Sequence, residues 1–106
     1  DLPSITNDDI KKLEEEMDEF NNQLTTLKSF VLPGGSKVNI WFHMARNICR
    51  IAERRSISLL RECEVDPLII KYLNRLSDAL FVYSRWTNYI LECDEVTWNP
   101  NYSKFE

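Results

Sequence analysis

The sequence predicts an all-α fold built from three long helices. Of its 106 residues only two are glycine, and they are adjacent, while the four prolines fall at or near the ends of patterned segments. Because glycine and proline are so few within the patterned segments, the chain offers few positions for turns. This favours long helices over many short strands. The apolar residues recur with helical periodicity, and an aspartate followed by proline marks the start of one helix.

The first predicted helix covers residues 9–28 and follows a linker of residues 1–8. The acidic run LEEEMDE fills one face of this helix. Thr6 or Asn7 is suited to cap its N-terminus. The opposite face is an apolar stripe with spacings of 3, 4, 3, 4 and 3 residues, formed by Ile10, Leu13, Met17, Phe20, Leu24 and Leu27.

The second predicted helix covers residues 36–62. The segment LPGG must stop any helix before it, and Ser36 can then cap the new one. Its apolar residues are spread widely around the circumference, which is typical of a helix buried by several neighbours. Three helices cannot easily cover such a surface. We therefore expect further helices, other subunits, or both to cover it.

The third predicted helix covers residues 67–92. Asp66 suits its N-cap and Pro67 its first turn. The tail, residues 93–106, lacks periodicity, and we expect it to follow the surface.

Composition excludes several classes of function. The net charge of −4 argues against broad binding to nucleic acid or to anionic membranes. No apolar run approaches the roughly 18 residues of a membrane span. The three cysteines are odd in number and form no CxxC pair, so a disulfide framework or zinc site is disfavoured and a reducing compartment is favoured.

Three arginines at four-residue intervals are the most informative local feature. Arg46, Arg50 and Arg54 lie within about 80° of one another on one helix, with Glu53 beside the last. Their charges repel unless a negative group faces them. Carboxylates of other helices are one candidate partner. The other is a polyphosphate, whose oxygens the planar guanidinium fork binds two at a time.

Other catalytic signals are weak. His43, the only histidine, fits a hydrogen-bonded interface residue better than a metal ligand or an acid–base catalyst. No serine or cysteine has a recognisable base partner, so covalent catalysis is not indicated. The segment Gly34–Lys37 lacks the first glycine and the strand of a Walker motif. The aromatic residues, Phe30, Trp41, Phe42, Phe81, Tyr83 and Trp86, are most simply core.

Three segments in order, FVLPGG, HMARNICRIAERR and YLNRLSDALFVYSRWTN, resemble the ATP:cob(I)alamin adenosyltransferases of the propanediol-utilisation type. The resemblance covers roughly residues 29–88. It implies an up-down bundle of four to five helices, assembled as a homotrimer with sites between subunits. It also implies that Co(I) of a reduced corrinoid, cobalamin or a relative, attacks the 5′ carbon of ATP, which carries Mg²⁺, and that triphosphate leaves.

The resemblance also implies roles for individual residues. Arg50 would face the phosphates of ATP and Asn74 would contact the nucleotide, with Glu53 and Arg54 supporting that site. Arg46 would form a salt bridge between subunits with an aspartate from the N-terminal half of the protein. Asp78 would orient Asn74 or a neighbouring arginine. Two aromatic residues would line the corrinoid pocket, Phe30 against the lower face of the corrin and Phe81 beside it.

Two departures from the family pattern stand out. The family usually carries a second arginine directly after the Arg50 position, where this chain has Ile51. The family's N-terminal nucleotide loop, a Thr-Lys-x-Gly-Asp segment followed by two helices, is not in this sequence. We therefore expect the chain to be the C-terminal part of an adenosyltransferase and to lack full ATP affinity on its own.

Two other functions fit the same residues. One is a non-catalytic helical interaction module, and the other is a diverged corrinoid-binding protein that has lost transferase activity. If the transferase interpretation holds, the resemblance suggests a reductase and an adenosylcobalamin-dependent mutase or dehydratase as partners. Bacterial or archaeal cytoplasm and the mitochondrial matrix of a eukaryote both fit as compartments.

Overall fold

The computed structural model describes residues 4–27 and 30–98 and contains three α-helices and one small two-stranded sheet. The helices are α1 (Asn7–Asn21), α2 (Lys37–Leu59) and α3 (Pro67–Ile90), and the strands are β1 (Val31–Leu32) and β2 (Val96–Thr97). Helix α3 packs against both α1 and α2. The mainly helical architecture confirms the predicted fold class.

The predicted N-caps Ser36 and Asp66 are confirmed, and of the two candidates for the first helix Thr6 is the cap. The predicted start of that helix at residue 9 is wrong, because α1 begins at Asn7 and residues 7 and 8 of the predicted linker are helical. The Thr6 hydroxyl accepts from the Asp9 N–H (3.3 Å) while the Asp9 carboxylate accepts from the Thr6 N–H (2.9 Å), which is a capping box. Ser36 accepts from the N–H of Asn39 (3.1 Å), and Asp66 accepts from the N–H of Leu68 (3.0 Å). Each cap satisfies a backbone donor that has no partner within its helix.

The predicted end of the first helix at residue 28 is wrong, because α1 ends at Asn21. The residues that follow, NQLTT, include asparagine and threonine, which are poor helix formers. The carbonyl of Thr25 instead accepts a hydrogen bond from Arg85 Nη2 (2.9 Å), so a tertiary contact replaces the helical one. Residue 28 itself lies outside the described residues, as do residues 1–3 of the predicted linker.

The other two helices end slightly earlier than predicted. Helix α2 ends at Leu59 and continues to Glu62 as a hydrogen-bonded turn, and α3 ends at Ile90 instead of residue 92. Glu92 has a positive φ of 56°, which no helix tolerates in its interior.

The two-stranded sheet was not predicted. Its strands are antiparallel, with Val31 opposite Thr97 and Leu32 opposite Val96. The second strand lies in the predicted tail, so residues 93–98 do not simply follow the surface. Each strand has only two residues, and no period-2 pattern can be read from so short a segment. Residues 99–106 of the tail lie outside the described residues.

One face of α2 is an exposed apolar stripe, as expected for a helix that three helices cannot cover. Ile40 (41% exposed), Met44 (57%), Ile48 (65%) and Ile51 (47%) lie within about 80° of one another on the helix. Trp41 beside them is 62% exposed, so its assignment to the core was wrong. Apolar patches of this kind mark surfaces that contact another element or chain.

Helix α1 is held to α3 by aromatic packing and one hydrogen bond. Phe20 packs on Tyr83 and Trp86, with ring centroids 5.5 Å and 4.5 Å apart. The Tyr83 hydroxyl donates to Glu16 Oε1 (2.9 Å). Burial, followed by this hydrogen bond, raises the pKa of Tyr83 to about 12.

Removing this hydroxyl by Tyr83→Phe should lower the free energy of unfolding by about 0.5–1.5 kcal/mol, the net value of one hydrogen bond. Because the folded-state pKa is raised above the ordinary value near 10, the stabilisation is complete below pH 10 and is lost as the pH rises towards 12. Urea unfolding between pH 8 and pH 12 measures both effects. An equally steep alkaline decline in Tyr83→Phe would contradict this assignment.

No helix within residues 4–27 and 30–98 is both long enough and apolar enough to span a bilayer.

Candidate functional site

The three arginines of the predicted row all lie on α2. Arg46 is half-buried, whereas Arg50 and Arg54 are exposed. Within residues 4–27 and 30–98, none of the three forms a salt bridge, and the buried Nε of Arg46 has no hydrogen-bond partner. The described part of the chain therefore leaves their charge available to a group from elsewhere.

Arg46 contacts Phe81 of α3. Its guanidinium carbon lies 5.4 Å from the centroid of the Phe81 ring, within the range of a cation–π interaction. His43 meets the same ring edge-on, with centroids 6.1 Å apart. Arg46, which was assigned to a salt bridge between subunits, thus contacts Phe81, which was assigned to the corrinoid pocket.

His43 is buried beside this pair. Burial and, secondarily, the charge of Arg46 lower the pKa of His43 below its ordinary value, so the imidazole is neutral near pH 7. Its Nε2 has no partner among the described residues. The predicted hydrogen bond of an interface histidine stays a prediction, since the described residues supply no partner for Nε2.

Glu53 and Asn74 form the second contact between predicted site residues. The Asn74 amide donates to Glu53 Oε2 (3.1 Å), which joins α2 to α3. Glu53 follows Arg46 by seven residues, or about 10 Å along the helix. These two contacts form a seam between α2 and α3. Arg50 lies between Arg46 and Glu53 in the sequence, about one turn from each, and its side chain is exposed. Arg54 follows Glu53 and makes no side-chain contact of this kind within the described chain.

Asp78 is not joined to Asn74. Its carboxylate lies 3.6 Å from Arg75 Nη1, and Arg75 Nε in turn lies 3.8 Å from Glu14 of α1. Of the two expected arrangements for Asp78, the structure contains the pairing with a neighbouring arginine. All three side chains are substantially exposed, so these ion pairs add little stability.

Cys49, which lies on α2 and contacts α3, is not suited to act as a nucleophile. Cys49 donates from its thiol to the carbonyl of Leu73 (3.1 Å). Burial, followed by the charge of Glu53, raises the pKa of Cys49, which disfavours the reactive thiolate. No group of three His, Cys, Asp or Glu side chains is placed to hold a metal ion in the part of the chain that the structure describes.

Phe30 lies directly before β1, and its side chain projects into solvent. Phe30 is 76% exposed, so its assignment to the core was wrong, and the Trp98 ring lies edge-on to it at a centroid distance of 6.1 Å. The Trp98 N–H donates to the carbonyl of Phe30 (2.8 Å), which extends the pairing of β1 with β2 by one residue. An aromatic ring held in solvent by its backbone is available to pack on a flat apolar ligand.

Sequence reasoning missed the residues that fix the loop after Phe30. Asn39 and Asn88 are fully buried, and from two helices their side chains hydrogen bond to the backbone N–H and the carbonyl of Gly34 respectively. A helical asparagine ordinarily indicates solvent exposure, and the two lie 49 positions apart in the sequence. The one signal for them in the sequence is the LPGG segment, because the backbone N–H and carbonyl groups of such a loop need hydrogen-bond partners.

Comparisons with known proteins agree on one family. The sequence profile of the family described as cobalamin adenosyltransferase matches residues 1–87. The chain is 45% identical over 98 residues to a corrinoid adenosyltransferase of Mycobacterium leprae, covering 91% of this chain and 50% of that protein. It is 44% identical over 78 residues to the corrinoid adenosyltransferase MMAB of Bos taurus, covering 74% of this chain and 32% of that protein.

A similar solved structure is that of a variant PduO-type ATP:corrinoid adenosyltransferase from Lactobacillus reuteri, complexed with cobalamin and ATP. It superposes with a TM-score of 0.88 at 29% sequence identity and covers 94% of this chain and 54% of that one. The chain spans about half the length, or less, of the curated relatives it matches.

Proposed function

The chain belongs to the cobalamin adenosyltransferase family, and from that membership we propose that it takes part in transferring the 5′-deoxyadenosyl group of ATP to Co(I) of a reduced corrinoid. One observation carries the proposal most strongly. Arg50 presents an exposed guanidinium group without a carboxylate partner among the described residues. It lies one helical turn from Arg46, which contacts Phe81, and from Glu53, which contacts Asn74.

The nucleotide side of the site consists of Arg50, Arg54, Glu53 and Asn74. Arg50 binds phosphate oxygens, for which its planar fork and permanent charge are suited. Glu53 and Asn74 hold each other across the seam, so the amide and the carboxylate are placed before the nucleotide arrives. Mg²⁺ accompanies ATP on the phosphate oxygens, since such ions are usually bound through phosphates and few protein groups.

The corrinoid side of the site consists of Phe30 and Phe81. The exposed Phe30 ring packs on the lower face of the corrin and keeps water and other donors from the cobalt. A cobalt ion without a lower ligand is more easily reduced from Co(II) to Co(I), because axial donation favours the higher oxidation state. Phe81 lines the same pocket, and the guanidinium group of Arg46 lies over the face of its ring in a cation–π contact.

The reaction needs no covalent group of the protein. The electron pair of Co(I) forms the cobalt–carbon bond at the 5′ carbon of ATP. The 5′ carbon–oxygen bond breaks, and its electron pair leaves with triphosphate. The chain contributes positioning of the two substrates and electrostatic stabilisation of the leaving triphosphate by Arg50.

The active assembly is a homotrimer with the site between subunits. The exposed stripe of Ile40, Met44, Ile48 and Ile51 supports a large apolar interface. Arg46 forms the intersubunit salt bridge, which the unpartnered Nε supports. A reductase that supplies the electron and a mutase or dehydratase that uses the product are the corresponding partners.

Native mass spectrometry of the full-length protein, with ATP and cob(II)alamin added, tests this proposal. We expect a trimer that takes up both compounds. A protein that binds neither would overturn the proposal. A non-catalytic interaction module would then be the better interpretation, and Ile51 favours that alternative because its side chain extends the apolar stripe where the family has a charge.

A further inference from the structure

The loop that follows Phe30 is held by two buried amides, which we call the amide clasp (Asn39 and Asn88). The Gly34 N–H donates to Asn39 Oδ1 (2.9 Å), and the Gly34 carbonyl accepts from Asn88 Nδ2 (2.9 Å). Both backbone polar groups of Gly34, which belong to two adjacent peptide units, are thus bound by side chains from the N-terminal part of α2 and the C-terminal part of α3.

The remaining polar atoms of the clasp are also satisfied. The Asn39 amide donates to the carbonyl of Ser84 (2.7 Å), and Asn88 Oδ1 accepts from the Ser36 hydroxyl (2.8 Å). Asn39 is 0% exposed and Asn88 is 1% exposed. Buried amides are costly unless all their hydrogen bonds form, so this network permits essentially one position of the loop.

The loop approaches α3 too closely for any side chain on its second glycine. Gly35 has φ of +89°, and a Cβ atom there would lie 2.6 Å from Asn88 Nδ2 and from the carbonyl oxygen of Asp94. The close approach brings the clasp, the loop and the segment leading into β2 into direct contact. We therefore expect a displacement of Asn88 to shift the backbone that leads into both strands.

Phe30 depends on that backbone for its position. Its ring is 76% exposed and has few contacts of its own, whereas its carbonyl is bound by the N–H of Trp98. From Phe30 to Gly34 the chain runs through β1, which pairs with β2. With Gly34 fixed by the clasp and β1 fixed by β2, the ring is held in solvent in a defined place.

We propose that Asn39 and Asn88 are positioning residues for the corrinoid, which act by fixing Gly34 and thereby the place of the Phe30 ring on the lower face. The inference rests on the proposed function, since it assigns the clasp to the corrinoid side of the same site. Neither asparagine touches a substrate. Their effect is on whether bound cobalt is kept free of a lower ligand.

The test is Asn88→Asp in the full-length protein. The carboxylate can still accept from Ser36 but cannot donate to the Gly34 carbonyl, which it repels. With ATP and cob(II)alamin bound, we expect the fraction of cobalt that lacks a lower ligand, measured by electron paramagnetic resonance, to fall at least about threefold, while the ATP dissociation constant changes less than about twofold. An unchanged fraction in the folded variant would overturn the inference.

The controls separate this inference from general destabilisation and from failure of the proposed function. Tyr83→Phe weakens the α1–α3 contact without touching the clasp and should leave the ligand-free fraction unchanged; a matching loss would overturn the inference. If Asn88→Asp does not fold, Ser36→Ala removes the hydroxyl that orients Asn88, and Ser36→Thr restores it. Loss in the first with recovery in the second supports the clasp, and equal behaviour overturns it. Wild-type protein that binds no cob(II)alamin would instead refute the proposed function.

Discussion

Replacing Arg50 by alanine should weaken ATP binding or slow adenosyl transfer by about 10–150-fold, which corresponds to about 1.5–3 kcal/mol for one charged hydrogen-bonded contact. Arg50 is exposed and makes no ion pair among the described residues, so little stability should be lost with it. Isothermal titration with ATP and single-turnover transfer from ATP to Co(I) separate the effect on binding from the effect on the reaction.

Arg61→Ala is the matched control, since Arg61 is an exposed arginine in the turn after α2 and lies outside the arginine row. It should bind ATP as the wild type does. If Arg50→Ala also bound ATP normally and instead lost oligomeric assembly or stability, the row would belong to an interaction module and not to a phosphate site.

Replacing Phe30 by alanine should leave ATP binding intact and slow adenosylation of the corrinoid by about 10–100-fold, the usual effect of losing a residue that tunes a metal without ligating it. The ring is 76% exposed, so its removal should not destabilise the fold. The expected cause is entry of water or another donor at the lower face, which makes reduction of Co(II) harder. The midpoint potential of bound corrinoid should therefore fall.

Tyr89→Ala is the control for loss of an exposed aromatic side chain, because Tyr89 is 54% exposed on α3 and is assigned to neither substrate. It should leave the rate and the potential unchanged. An unaltered rate of adenosylation in Phe30→Ala would show that this ring does not act on the lower face of the corrin.

The helix starts could be predicted because their signals are local. The side chains of Thr6, Ser36 and Asp66 bond to backbone groups two or three residues away, and such contacts can be read from adjacent sequence. The end of α1 could not, because the apolar spacing continues to Leu27 while Arg85, distant in sequence, binds the carbonyl of Thr25. Tertiary contacts override local propensity there.

The candidate site divides in the same way. The four-residue spacing places the arginines on one face of a helix. The expected roles of Glu53 and Asn74 at the nucleotide and of Phe81 at the corrinoid come from the family resemblance. The contact between Asn74 and Glu53 joins residues 21 positions apart, and the amide clasp joins residues as much as 54 positions apart. Contacts of that range follow from how the helices pack, which one sequence does not specify.

Single-turnover transfer by the full-length protein is the most direct test of the central claim. Co(I) corrinoid is mixed with ATP, and loss of the Co(I) absorbance is followed together with release of triphosphate. We predict one cobalt–carbon bond and one triphosphate for each ATP consumed, with the yield abolished when ATP is omitted. Binding of both substrates without formation of the bond would contradict the transferase function and leave a corrinoid-binding protein in its place.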